Sequence, residues 1–187
     1  MIDIGAGTGN STGTLLDRGF QLVTAVEYSN GMVDKIRSKM FDASRLRVVK
    51  ARAESVGDVF KGELGTFDGA TMVNVLYSVE RPYECLVAVH SLLKPGGRLG
   101  LSTTHSETSL AQLLQSIERH VLARDPSAAD EDAFVLVRDI NRRLERVIAR
   151  RVSIERYREM VTDAGFEITK LESTYEGAVI VIHAVKK

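Results

Sequence analysis

A chain of 187 residues with 44% apolar and 27% charged side chains suits one globular domain with a substantial core, and excludes a disordered or fibrous chain. Its 25 Lys and Arg balance 25 Asp and Glu, so no global field selects nucleic acid or a membrane surface. The one cysteine, Cys85, excludes an internal disulfide and fits a reducing compartment, by default the cytoplasm, and no apolar run nears the roughly 20 residues that span a bilayer.

The chain opens on MIDIGAGTGN, in which Met1, Ile2 and Ile4 favour a buried strand and glycine recurs at Gly5, Gly7 and Gly9. A helical run, STGTLLDRGF, follows at once, so this reads as a strand turning sharply into a helix, with glycines where the backbone bends or a ligand approaches closely. Asp3 is a carboxylate within that apolar strand. Counting from Gly5, the sixth position of a dinucleotide fingerprint is Asn10 rather than glycine, so the pattern is G-x-G-x-G.

IDIGAGTGNST resembles the first motif of the class I methyltransferases that use S-adenosylmethionine, and the rest of the chain continues the resemblance in order. The helix from about Ser11 to Arg18 ends at Gly19, and Gln21 to Glu27 forms a second strand. Glu27 stands about 20 residues past the glycines, at the carboxyl end of the neighbouring strand, where an acid accepts from both ribose hydroxyls. Ser29 or Asn30 caps a helix with Met32, Val33, Ile36 and Met40 on one face. YSNGM, with Tyr28 and Met32, resembles the family segment beside the adenosine. Leu46 to Ala51 is a third strand, and the RAES that follows resembles the adenine-binding segment, which assigns Ala53 and Glu54 to the adenine side. Arg52 departs from the family there, standing where an aspartate commonly accepts from the adenine amino group.

A fourth strand runs from about Asp68 to Val75, and the resemblance puts Asn74 and Tyr77 near the sulfonium. Pro82 opens a helix, LKPGG ends it, and LGLST is the fifth strand. LKPGGRL is a second element shared with small-molecule methyltransferases. His105 follows directly, where an imidazole can take a proton from an acceptor. Residues 106 to about 150 depart from alternation. Leu110, Leu113, Leu114, Ile117 and Val121 mark one amphipathic helix, and Asp130 caps a second through Leu136, Val137, Ile140, Leu144, Val147 and Ile148. This reads as a helical insertion shaping the acceptor side. From Arg138 to Glu159 eight arginines face four acids, which reads as a salt-bridged solvated face rather than a nucleic-acid surface. A helix ending at Gly165, a sixth strand, the reversal Tyr175-Glu176-Gly177 and a last strand, GAVIVIHAVKK, complete the chain.

The expected fold is a single α/β domain over residues 1–187: a Rossmann-like, seven-stranded, mostly parallel sheet with an antiparallel last strand and helices on both faces. The resemblance implies methyl transfer from S-adenosylmethionine to a small-molecule acceptor, leaving S-adenosylhomocysteine. Asp3, Gly5, Ala6, Gly7 and Gly9 would hold the methionine end, Glu27 the ribose, and His105 and Tyr77 would stand near the methyl. Other reactions of the same cofactor, such as intramolecular cyclisation, and a non-catalytic binding domain are the alternatives. Met1 already lies in the first strand, so the helices that usually precede it in the family are expected to be lacking. That predicts a homodimer, or weaker cofactor binding than in an extended form.

Overall fold

The computed structural model describes residues 1–124, 139 and 151–187. In chain order these form β1 (Ile2–Ile4), α1 (Asn10–Asp17), β2 (Val23–Glu27), α2 (Asn30–Ser38), β3 (Leu46–Lys50), α3 (Val56–Val59), β4 (Phe67–Val73), α4 (Pro82–Leu92), β5 (Leu93–Thr104), α5 (Leu110–Arg124), α6 (Ile154–Asp163), β6 (Phe166–Thr174) and β7 (Val179–Lys186). One sheet of seven strands runs in the order β3-β2-β1-β4-β5-β7-β6. Its first four pairings are parallel, and β7 is antiparallel to both neighbours, β5 and β6. This is the predicted Rossmann-like architecture.

The strand order reverses between β1 and β4, which pair with each other while the chain leaves them toward opposite edges of the sheet. Open α/β sheets bind ligands outside the carboxyl ends of the strands at such a switch point. β1 is short but central, and all three of its residues are buried. Ile2 and Ile4 pack with Met72 of β4, Leu99 and Leu101 of β5, and Ile180 and Ile182 of β7. α4 covers that core with Leu86 and Val89, and α6 with Tyr157 and Val161. A smaller cluster of Ala6, Ala25 and Ile36 seats α2 against the sheet with Phe41, Leu46 and Val48.

Two sequence readings shift. α2 stops at Ser38, so its buried face is Val33 and Ile36, while Met40 lies beyond the helix, fully exposed, and Met32 is partly exposed at 37%. Lys39 is already extended at the end of α2, which breaks the 3.6-residue stripe before Met40. The KPGG reversal sits inside a register shift: Phe67 pairs with Leu93 and Gly69 with Arg98, so the residues between loop out of the ladder. The second insertion helix, Asp130 to Ile148, falls outside the described residues apart from residue 139, as do five of the eight clustered arginines. Of those described, Arg156 pairs with Glu159 at 2.9 Å and Arg158 with Glu155 at 3.8 Å along α6. No helix among the described residues is long and apolar enough to cross a membrane.

Candidate functional site

The strand-to-helix turn after β1 is built from glycines with left-handed backbone, φ +68 at Gly5, +56 at Gly7 and +83 at Gly9. The N–H groups of Gly5 and Ala6 both donate to the Val26 carbonyl, at 2.8 and 3.0 Å, folding the turn over the end of β2. A Cβ on Gly5 would come within 2.3 Å of Val75, whereas one on Gly7 would enter open space with nothing within 4 Å. The two glycines therefore serve different ends. Gly5 lets β1 pass the segment after β4, and Gly7 leaves room outside the protein backbone.

Glu27 closes this turn from β2. Its Oε2 accepts from the Gly7 N–H at 3.0 Å and its Oε1 from the Ser29 N–H at 2.8 Å. Each oxygen keeps a further lone pair, and the side chain lines the cleft. Asp3 lies beneath, 1% exposed. Its Oδ2 accepts from the Ser11 and Thr12 hydroxyls at 2.7 and 2.6 Å, and its Oδ1 from Thr71 at 2.8 Å. The sequence reading assigned Asp3 to a ligand's methionine end; the structure places it as a hub joining β1, α1 and β4. Ala6 is buried against α2, and Gly9 caps α1.

A cleft of about 260 Å³ opens at the carboxyl ends of these strands. Gly5, Glu27 and Tyr28 line one side, and Ala51, Arg52, Ala53 and Glu54 the end beyond β3. Asn74, Val75, Ser78 and Val79 form the opposite wall. Asn74 has φ +55, a conformation asparagine tolerates better than other side chains, and its N–H donates to Ser102 at 2.9 Å. Burial alone would raise the Glu54 carboxyl. The Glu54 and Glu80 backbone N–H groups and the Arg52 and Arg81 cations together hold it below the ordinary carboxylate value. Behind this wall the Cys85 thiol reaches the Ala53 carbonyl at 3.4 Å, and burial, with Glu54, pushes it up to about 12.

Of the sequence-predicted residues, the structure brings Gly5, Glu27, Tyr28, Ala53, Glu54 and Asn74 onto this cleft. Gly7 and Gly9 sit in the turn beside it. Met32 is on α2 and is not among the lining residues. Tyr77, half-buried, lies in the turn after Asn74 but is not itself part of the lining, and burial, with Tyr157, raises its phenol. His105 is 4% exposed, with Nε2 at 2.7 Å from the Gly177 carbonyl. A carbonyl only accepts, so Nε2 carries a proton and donates, and in the neutral ring the lone pair is then on the buried Nδ1. Nδ1 has no hydrogen-bond partner, and Glu107 Oε2 is 4.0 Å away. Ala51, Val75, Ser78 and Val79 were not singled out from the sequence. Their position just past β3 and β4 is the signal that would have found them.

The same sequence stretch carries a family signature. Residues 2–101, more than half of the chain, match the family described as "Methyltransferase domain". The chain belongs to the class I S-adenosylmethionine-dependent methyltransferases. The chain is 32% identical over 124 residues to the ubiquinone biosynthesis O-methyltransferase of Xanthomonas axonopodis pv. citri (strain 306), covering 66% of this chain and 50% of that one. It thus spans about half the length of the curated relatives it matches. Among solved structures it is similar to an S-adenosylmethionine-dependent methyltransferase of Thermotoga maritima, with a TM-score of 0.63 and 23% identity over 100% of this chain and 81% of that one. It is also similar to the 1,6-didemethyltoxoflavin-N1-methyltransferase of Burkholderia thailandensis with bound 1,6-didemethyltoxoflavin and S-adenosylhomocysteine, with a TM-score of 0.63 and 18% identity over 100% of this chain and 70% of that one. At these identities the structural likeness is one of fold.

The residues present fit the family's cofactor, S-adenosylmethionine. The open space beside Gly7 would be filled by any larger side chain, and Glu27 offers free lone pairs at the cleft surface where ribose hydroxyls need acceptors.

Proposed function

We propose that this chain transfers a methyl group from S-adenosylmethionine to a hydroxyl of a small-molecule acceptor. The observation that carries the reading is the joined unit of Gly7 and Glu27: an acid at the end of β2 held by the glycine turn, with unfilled space beside it. The O-methyltransferase relatives support a hydroxyl as the attacking group. When bound, S-adenosylmethionine supplies an electrophilic methyl on a sulfonium.

The protein's own part is alignment and, where the acceptor requires it, proton removal. Glu27 accepts from the ribose hydroxyls, and the glycine turn bounds the methionine end. The wall of Asn74 and Val75 sets the depth of the cleft. Orienting two reactants in this way can supply several kcal/mol of barrier reduction with no covalent step. His105 is the candidate base through Nδ1, but that nitrogen is buried and the residue lies outside the cleft lining, so its part requires an acceptor that reaches it from beyond the cleft. Tyr77 is a poor base near neutrality because burial raises its phenol, so its part is contact with the acceptor.

Titration calorimetry with S-adenosylhomocysteine, followed by transfer of a labelled methyl to catechol, tests the reading. Binding together with labelled product supports it. Binding with a product formed from the cofactor alone would favour the cyclisation alternative, and absence of binding would leave a methyltransferase-fold domain without the reaction.

A further inference from the structure

The end of the cleft beyond β3 holds a pair of side chains that the methyl-transfer reading leaves without a role. The guanidinium carbon of Arg52 lies 5.5 Å from the centroid of the Tyr28 ring, and both residues line the cleft. Arg52 Nε is 3.7 Å from Glu54 Oε2, while Glu54 Oε1 accepts from the Glu80 N–H at 3.1 Å. Both oxygens of Glu54 are thus turned toward donors of the protein itself. The ring from below and the carboxylate from the side hold the guanidinium at the cleft surface.

A guanidinium presents five N–H donors and no acceptor. It can meet a ring nitrogen or a carbonyl oxygen of a purine, and it cannot accept from an exocyclic amino group. The Glu54 carboxylate keeps acceptor capacity beyond the Glu80 N–H and the Arg52 ion pair, so it can add a contact to that group but is not held for it alone.

We propose that Arg52, stacked on Tyr28 and steered by Glu54, selects the base at this end of the cleft by donating to purine acceptor atoms, so that a 6-amino group is not required. The inference rests on the reading of the cleft as the cofactor site. It makes Arg52 a specificity-determining residue and predicts tolerance of a 6-oxo purine.

Calorimetry with two probes tests it: S-adenosylhomocysteine and its 6-oxo analogue, S-inosylhomocysteine. The unmodified protein should bind the two with Kd values within about 10-fold of each other, since either base offers Arg52 an acceptor. Arg52→Asp, which replaces the donors with an acceptor, should shift the preference toward the amino compound by at least about 10-fold. Arg52→Ala should weaken both by a similar factor. Arg52 is largely exposed, with 62% of its side chain accessible, so these variants should keep the fold, and a thermal denaturation curve of each checks that. A preference of the unmodified protein for the amino compound beyond about 10-fold would overturn the inference, as would unchanged Kd values in Arg52→Ala. If the unmodified protein binds neither probe, the cofactor reading itself fails and takes this inference with it.

Discussion

The backbone N–H of Gly7 donates to Oε2 of Glu27 at 3.0 Å, so the turn after β1 and the acid ending β2 form one unit. Ser29 N–H completes it on Oε1 at 2.8 Å. Glu27→Ala removes an acceptor from two backbone amides as well as from the ribose. It should weaken S-adenosylhomocysteine binding by about 1–3 kcal/mol and lower stability by a similar amount. Glu27→Gln keeps one carbonyl acceptor and should retain more of the stability than of the binding. Calorimetry and urea titration of both variants check this, and binding within a factor of two of the parent in Glu27→Ala would remove Glu27 from the site.

The two glycines of the turn should separate under substitution. Gly7→Ala meets no neighbour within 4 Å, so its cost is the left-handed backbone alone, about 1–2 kcal/mol. It should fold and bind poorly, because the added carbon occupies the ligand's space. Gly5→Ala places Cβ at 2.3 Å from Val75 and should unfold at markedly lower temperature whether or not ligand is present. Melting curves with and without S-adenosylhomocysteine distinguish them; equal ligand-induced shifts in Gly7→Ala and the parent would show that Gly7 serves backbone geometry only.

His105→Ala should lower turnover by roughly 10²–10⁴ where the acceptor must lose a proton, with cofactor affinity nearly unchanged. Because Nε2 is also tied to Gly177, the same variant should speed amide exchange in the β6–β7 reversal. Tyr77→Phe should cost less, since the ring remains. Single-turnover rates for both variants decide the matter, and unchanged rates in both would leave alignment alone to carry the reaction.

Alkaline pH should destabilise the fold. Burial pushes the Cys85 thiol from 9.0 up to about 12, and it raises the Tyr77 and Tyr157 phenols above 10.0. Each group is held neutral by the fold and ionises more readily in the unfolded chain. Stability is therefore undiminished below about pH 9 and falls as pH rises toward about 12. Urea midpoints measured across that range check it, and Cys85→Ala should flatten the lower part of the decline.

Much of the site could be read from sequence because its signals are local. Gly5, Gly7 and Gly9 declare a turn within five residues, and Glu27 follows at the strand-to-strand spacing of a βαβ unit. Asp3 was harder to place. Ser11 and Thr12 are close in the chain, but Thr71 meets it only through the β1–β4 register, in which Asp3 pairs with Thr71. No short-range pattern encodes a pairing 68 residues apart. Met40 was placed on the apolar face of α2 because the helical period was extended past the point where Lys39 leaves the helix. Arg52 was legible as an oddity, while its stacking on Tyr28 depends on how β2 and β3 lie side by side.

The three-residue strand at the centre of the sheet also bears on the order in which the molecule assembles. β6 and β7 are joined by a short reversal and can pair early, whereas β1 joins β4 only after a long intervening stretch has been arranged. The cleft cannot exist until that seam closes. A ligand that recognises the closed cleft therefore acts on the finished state: it should slow unfolding in proportion to its occupancy and leave the rate of refolding as it was.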